Sequence, residues 1–163
     1  MSSELNIIRQ VAWLALIPQF LFAMLLIFFW HLLRAPDPAL YGLVSYFIIS
    51  YCLRTFIPKL HNKGMKHVKK AEFEEAIPYF QKSYEFFSKN LWIDKYRFIT
   101  VLSSSAMSYR EMALTNIALS YSQLGQVIKA KEFYEKTLAE FPKSILAKNE
   151  LALIQKELLN PIN

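Results

Sequence analysis

The sequence has little cysteine, little glycine and, over two long stretches, no charge. A single cysteine, Cys52, occurs in 163 residues, so no disulfide can form within the chain and no cysteine cluster can hold a metal. It lies in an apolar run and reads as a small packing residue. Three glycines, Gly42, Gly64 and Gly125, are too few and too scattered for a phosphate-cradling loop. Of the histidines, His31, His61 and His67, the last two are six apart. That is not the spacing that puts two metal ligands on one helix face. Ser103-Ser104-Ser105 lacks the strained elbow and partner base of a nucleophile. Glu74-Glu75 lie on adjacent helix faces and favour a positive helix N-terminus. These absences argue against an enzyme, a cofactor and a metal.

What is present is apolar surface, unevenly distributed. Hydrophobic residues make up 54% of the chain, and neither residues 11–33 nor 38–53 contain Asp, Glu, Lys or Arg. The net charge of +6 is also local. Up to Lys70 there are eight basic residues and two acids, whereas from Ala71 onward eleven of each balance. A nucleic-acid binder would carry its excess on the folded domain. Here the excess flanks the apolar runs, which points to membrane topology and anionic headgroups rather than nucleic acid.

The run Val11–Leu33 is long enough, at about 1.5 Å per residue, to cross a hydrocarbon core of about 30 Å. It exceeds the roughly 7–15 residues of a signal-peptide core, and no small-x-small site follows, so a retained span is expected. The run Leu40–Ile57 is shorter and carries Arg54 near its end. No acid lies in either run, so Arg54 is expected to snorkel to the headgroups rather than to form an intramembrane ion pair. Arg34-Ala35-Pro36-Asp37-Pro38 stops the first helix, and so short a link makes an antiparallel hairpin. Basic residues crowd after the second run, so both termini are expected on the cytoplasmic side of a multi-pass protein.

From Pro58 the pattern takes the helix period. Two stretches superpose, Phe73–Tyr84 on Val127–Leu138. They share a small residue (Ala76, Ala130), an aromatic (Phe80, Tyr134), a lysine (Lys82, Lys136) and a second small residue (Ser83, Thr137). Ile117-Ala118, Tyr121, Gly125 and Pro142 complete the second copy. Gly64 belongs to the first, with His67 where an aromatic Tyr is usual. In these residues the sequence resembles the tetratricopeptide repeat, a 34-residue unit of two antiparallel helices.

An all-α chain is expected: the apolar runs give two transmembrane helices in residues 1–57, and the resemblance implies a helical array in 58–163, which the charge placement puts on the cytoplasmic side. The repeats would cover about 57–90 and 111–144, with an insert at 91–110. An end helix at 144–159 would be capped by Ser144 and lined by Ala147, Leu151, Ile154 and Leu158. The insert reads as an extra helix packed on the repeats or as a partner-binding loop. Two repeats leave open ends, on which another subunit or a second copy of the chain can stack.

Repeats of this family bind peptides or partner helices on the surface made by the first helix of each unit. By family position that surface would include His61, Met65, Val68 and Lys69, then Met112, Thr115, Asn116, Leu119 and Gln123. Of a carboxylate-binding Lys/Asn/Arg clamp only Asn116 matches, because His61 and Met65 stand where Lys and Asn would be. Arg54, Lys59, Lys63, Lys66 and Lys70 are expected at the membrane surface. Two roles follow as expectations. One is an adaptor or assembly factor that binds a protein through the groove. The other is an accessory subunit of a membrane complex, held through the hairpin.

Overall fold

A computed structural model describes residues 16–159, and among them every regular element is a helix. By internal packing it divides into two units. One comprises the residues up to Ile57 together with Lys95–Ser108; the other comprises Pro58–Asp94 and the chain from Tyr109 onward.

In the first unit α1 (Leu16–Leu32) pairs with α2 (Pro38–Phe56). Asp37 accepts a hydrogen bond from the Leu40 amide at 3.0 Å and so caps α2, whose first residue is Pro38. Proline there gives up an amide that has no helical partner in any case. Gly42 sits where the two backbones nearly touch. A Cβ at that position would lie 2.5–2.8 Å from the side chain, Cα and amide nitrogen of Ile27. The antiparallel seam is completed by Trp30 Nε1 donating to Ser45 Oγ at 3.0 Å and by Tyr46 Oη donating to Gln19 Oε1 at 3.4 Å. Away from the seam both helices expose large apolar side chains, among them Phe20, Leu25, Phe28, Phe47 and Ile48. Among the described residues α2 alone is long and apolar enough to cross a membrane. The described part of α1 has 17 residues, and Val11–Ala15 of the expected first span lie outside the described residues.

The second unit is built from α3 (Lys59–Lys69), α4 (Phe73–Lys89), α7 (Tyr109–Gln123), α8 (Val127–Glu140) and α9 (Ile145–Leu159). Each packs on the next in that order, α4 passing directly to α7. The two superposed stretches become α4 and α8. Their shared small and aromatic positions, Ala76, Phe80, Ser83 and Ala130, Tyr134, Thr137, are all buried, while Lys82 and Lys136 stay exposed. Gly64 lets α3 approach α4, since a Cβ there would lie 2.7 Å from the Phe80 ring. Equivalent ring pairs brace each helical pair: His67 stacks on Tyr79 at 5.1 Å and Tyr121 on Phe133 at 5.5 Å. Ser144 Oγ accepts the Ala147 amide at 3.4 Å and caps α9.

The turns repeat too. The Gly125 amide bonds Ser122 O and that of Gln126 bonds Tyr121 O; the Ala71 amide bonds Val68 O and that of Glu72 bonds His67 O. Both turns need a left-handed residue, Gly125 at φ 71° and Ala71 at φ 60°. Alanine in this region costs about 1–2 kcal/mol, whereas glycine adopts it freely. Ala71→Gly is therefore expected to raise the denaturation midpoint of the full chain. A lowered midpoint would mean that glycine's larger unfolded-state entropy outweighs the relieved strain.

The insert does not behave as one block. It forms α5 (Leu91–Lys95) and α6 (Arg97–Thr100), followed by irregular chain to Ser108. The packing boundary falls inside α5, and Lys95–Ser108 belong with the α1–α2 pair rather than with the second unit. Asp94, at the boundary, is buried and its carboxylate accepts the amides of Tyr109 (2.6 Å) and Arg110 (3.2 Å). It thus satisfies two orphan donors at the start of α7.

Candidate partner-binding site

The first helices of the two pairs are α3 and α7, and Asn116 Nδ2 reaches from α7 to Met65 Sδ of α3 at 3.6 Å. At about 100° per residue, Met112, Asn116, Leu119 and Gln123 fall in one stripe of α7. None of the four is buried, and Gln123 is exposed. On α3, half-buried Met65 and exposed Lys69 occupy the corresponding stripe. Half-buried Asn62, not selected from the sequence, falls beside them by the same helical geometry.

The other three expected groove residues do not line an open surface. His61, Val68 and Thr115 are buried. They lie roughly 40–60° around their helices from Met65 and Met112, toward the core. Thr115 turns its hydroxyl inward and donates to Glu111 O and Met112 O. Val68 joins the core formed by Ala76, Ile77, Phe80, Ala113 and Ile117.

His61 packs edge-on against Phe80 (5.3 Å) and Tyr109 (5.5 Å). Burial pushes its imidazole from the ordinary 6.5 down to about 4, because a cation is costly there. Between these two values the unfolded chain binds the proton and the folded chain does not. Stability is therefore full above about pH 6.5 and falls as the pH drops toward 4, by on the order of 3 kcal/mol. His61→Leu, of similar bulk and without a titrating group, should flatten the acid limb of the melting temperature over that window. An unchanged limb would place the titration elsewhere.

A polar cluster braces the opposite side of the array. Arg110, on α7, forms an ion pair with Glu140 of α8 and donates through Nε to Ser88 Oγ of α4 at 3.1 Å. Tyr84 Oη donates to the same Glu140 carboxylate at 2.5 Å, and the Arg110 guanidinium lies over the Tyr84 and Phe141 rings at 5.5 and 5.4 Å. These groups satisfy one another, so the cluster reads as a brace rather than a site.

The lysines expected at a membrane surface, Lys59, Lys63, Lys66 and Lys70, are all exposed. They form one stripe of α3, opposite its buried residues His61, Gly64 and Val68. Arg54 differs from the expectation of a side chain held by headgroups alone. Its guanidinium donates to the Leu102 carbonyl, through Nε at 3.1 Å and also through Nη2.

The second helical pair contains the part of the chain that matches a known family. Residues 113–143 match the tetratricopeptide repeat. The match covers α7 from Ala113, the Gly125 turn, all of α8 and Pro142. Comparison with curated proteins and with solved structures returned no match. The chain therefore carries a tetratricopeptide repeat, a module that binds other proteins and is not ordinarily catalytic.

Proposed function

We propose that this protein is a membrane-anchored adaptor or assembly factor that holds a partner protein at the cytoplasmic face. The observation that carries the reading is the Met112, Asn116, Leu119 and Gln123 stripe on the first helix of the matched repeat, with Met65 of α3 beside it. Two thioethers, a leucine and short amides make a mixed surface suited to an amphipathic helix or an extended segment, and methionine adapts to varied shapes. The anchoring half rests on the exposed apolar surface of α1 and α2, far more than a soluble monomer leaves in water. In a bilayer the same surface is satisfied by lipid. Only two residues, Ile57 and Pro58, separate the end of α2 from Lys59. The α3 lysines are thus within reach of anionic headgroups, where each contributes about 1 kcal/mol.

The test is co-purification from gently solubilised membranes. Met112→Glu with Leu119→Glu should leave the helical content unchanged and abolish recovery of the partner. Recovery that survives this change but is lost when Phe47 and Ile48 are both replaced by alanine would favour the second reading. In that reading the protein is an accessory subunit, held by a hairpin that the Trp30–Ser45 and Tyr46–Gln19 bonds make stiff.

A further inference from the structure

The Lys95–Ser108 insert is tightly built. Arg97 donates to Ser105 O at 3.1 Å and to Ala106 O at 2.6 Å, while its own carbonyl accepts the amides of Val101 and Ser103 at 3.1 and 3.0 Å. Thr100 Oγ1 donates to Tyr96 O at 3.1 Å. Val101 and Leu102 are buried. A loop whose backbone is held this closely has little freedom to hide the side chains it leaves outside. Tyr96 and Ile99 are nevertheless 47% and 55% exposed. Lys95, also exposed, lies 5.6 Å from the Tyr96 ring centre.

The insert is continuous with the hairpin. The helix α6 packs on α1, and Leu102 O takes the guanidinium of Arg54 in the last turn of α2. On α2 that arginine lies between Tyr51 and Phe56, both strongly exposed apolar rings. If α2 crosses a bilayer, its last turn lies at headgroup level, and a loop bonded to Arg54 is carried to the same level. Tyrosine prefers that zone because its ring is apolar and its hydroxyl is wet. A neighbouring lysine can reach lipid phosphate while its stem stays in the apolar layer.

We propose that the insert is a second membrane contact, monotopic rather than spanning. Tyr96 and Ile99 enter the boundary between headgroups and acyl chains, and Lys95 meets anionic phosphate. This rests on the reading of α1 and α2 as a membrane hairpin. It assigns the insert a lipid surface as its occupant, where the sequence left a protein partner open.

Depth-dependent quenching tests it on the full chain. In a Cys52→Ser background, single cysteines at Tyr96, Ile99, Ile48 and Glu132 are labelled with a small fluorophore. The protein is reconstituted into vesicles of phosphatidylethanolamine and phosphatidylglycerol. Lipids brominated high on the acyl chain report the boundary, and aqueous iodide reports water. The expected result is that labels at 48, 96 and 99 lose most of their emission to brominated lipid, while the label at 132 loses its emission to iodide. If 48 is quenched by lipid but 96 and 99 behave like 132, the insert does not touch the membrane and the hairpin reading stands. If 48 itself is quenched by iodide, the hairpin reading fails and the inference falls with it. Labelling two positions in the insert guards against one substitution disturbing the loop.

Discussion

Phe80→Ala should unfold the second unit at ordinary temperature. Phe80 is fully buried at the point where α3, α4 and α7 meet, against the Gly64 backbone and the His61 ring. Removing a buried phenyl ring costs about 3–5 kcal/mol when the surroundings cannot collapse to fill the hole. Here they cannot, because a helical backbone, the one carrying Gly64, forms one wall. A domain of this kind has roughly 5–15 kcal/mol of total stability, and two helical pairs lie toward the low end. Denaturation of the full chain in mild detergent, followed by ellipticity, should show the main transition lost or moved far down. Phe80→Leu, which keeps most of the volume, should recover much of it. Equal effects from both substitutions would mean that the ring fills no critical space.

Gly42→Leu should force the hairpin open. The contact is between backbones, since even a Cβ would come within 2.7 Å of the Ile27 Cα. A flexible side chain can swing away from an intruder, but a helix axis must shift as a body. Overpacking of this kind costs about 1–3 kcal/mol and at times more. Between apolar helices in lipid, close approach at small residues is the main source of association. The Trp30–Ser45 bond and the contact of Trp30 with the Tyr41 ring at 5.2 Å should be lost together. Titration of the reconstituted protein with a denaturing detergent, read through tryptophan emission, should show a transition at clearly lower detergent. Gly42→Ala should fall between the two. An unmoved transition for the leucine variant would mean that the helices do not meet at this seam.

The repeat pattern was readable because a small residue and an aromatic recur at fixed places in both copies, and burial follows those places residue by residue. The Ser144 cap was a local signal of the kind a sequence displays, whereas the Asp37 cap on α2 went unread although it is equally local. Other features depended on distance. Asp94 caps a helix that starts 15 residues later, and no rule about neighbours points to it. Arg54 chooses a backbone carbonyl 48 residues away, and a carbonyl carries no side-chain signature at all. Ala71 holds a conformation that a reader expects of glycine. Family position selected residues on α3 and α7, yet packing alone decides whether a residue such as Thr115 or Val68 ends in the core, as both do, or on the surface.

The division of the chain has a consequence for its synthesis. The hairpin unit is discontinuous, being closed by residues that follow the first helical pair. On the ribosome, Arg54 emerges well before the carbonyl that will receive it. The pair α1 and α2 can form early, but its unit is finished only after α3 and α4 have been made and the chain has returned through Lys95–Ser108. Neither half can then be excised as one uninterrupted piece. Cutting after Ile57 removes Leu102 from Arg54, and a fragment that begins at Pro58 carries a tightly folded loop without the helices on which it was shaped.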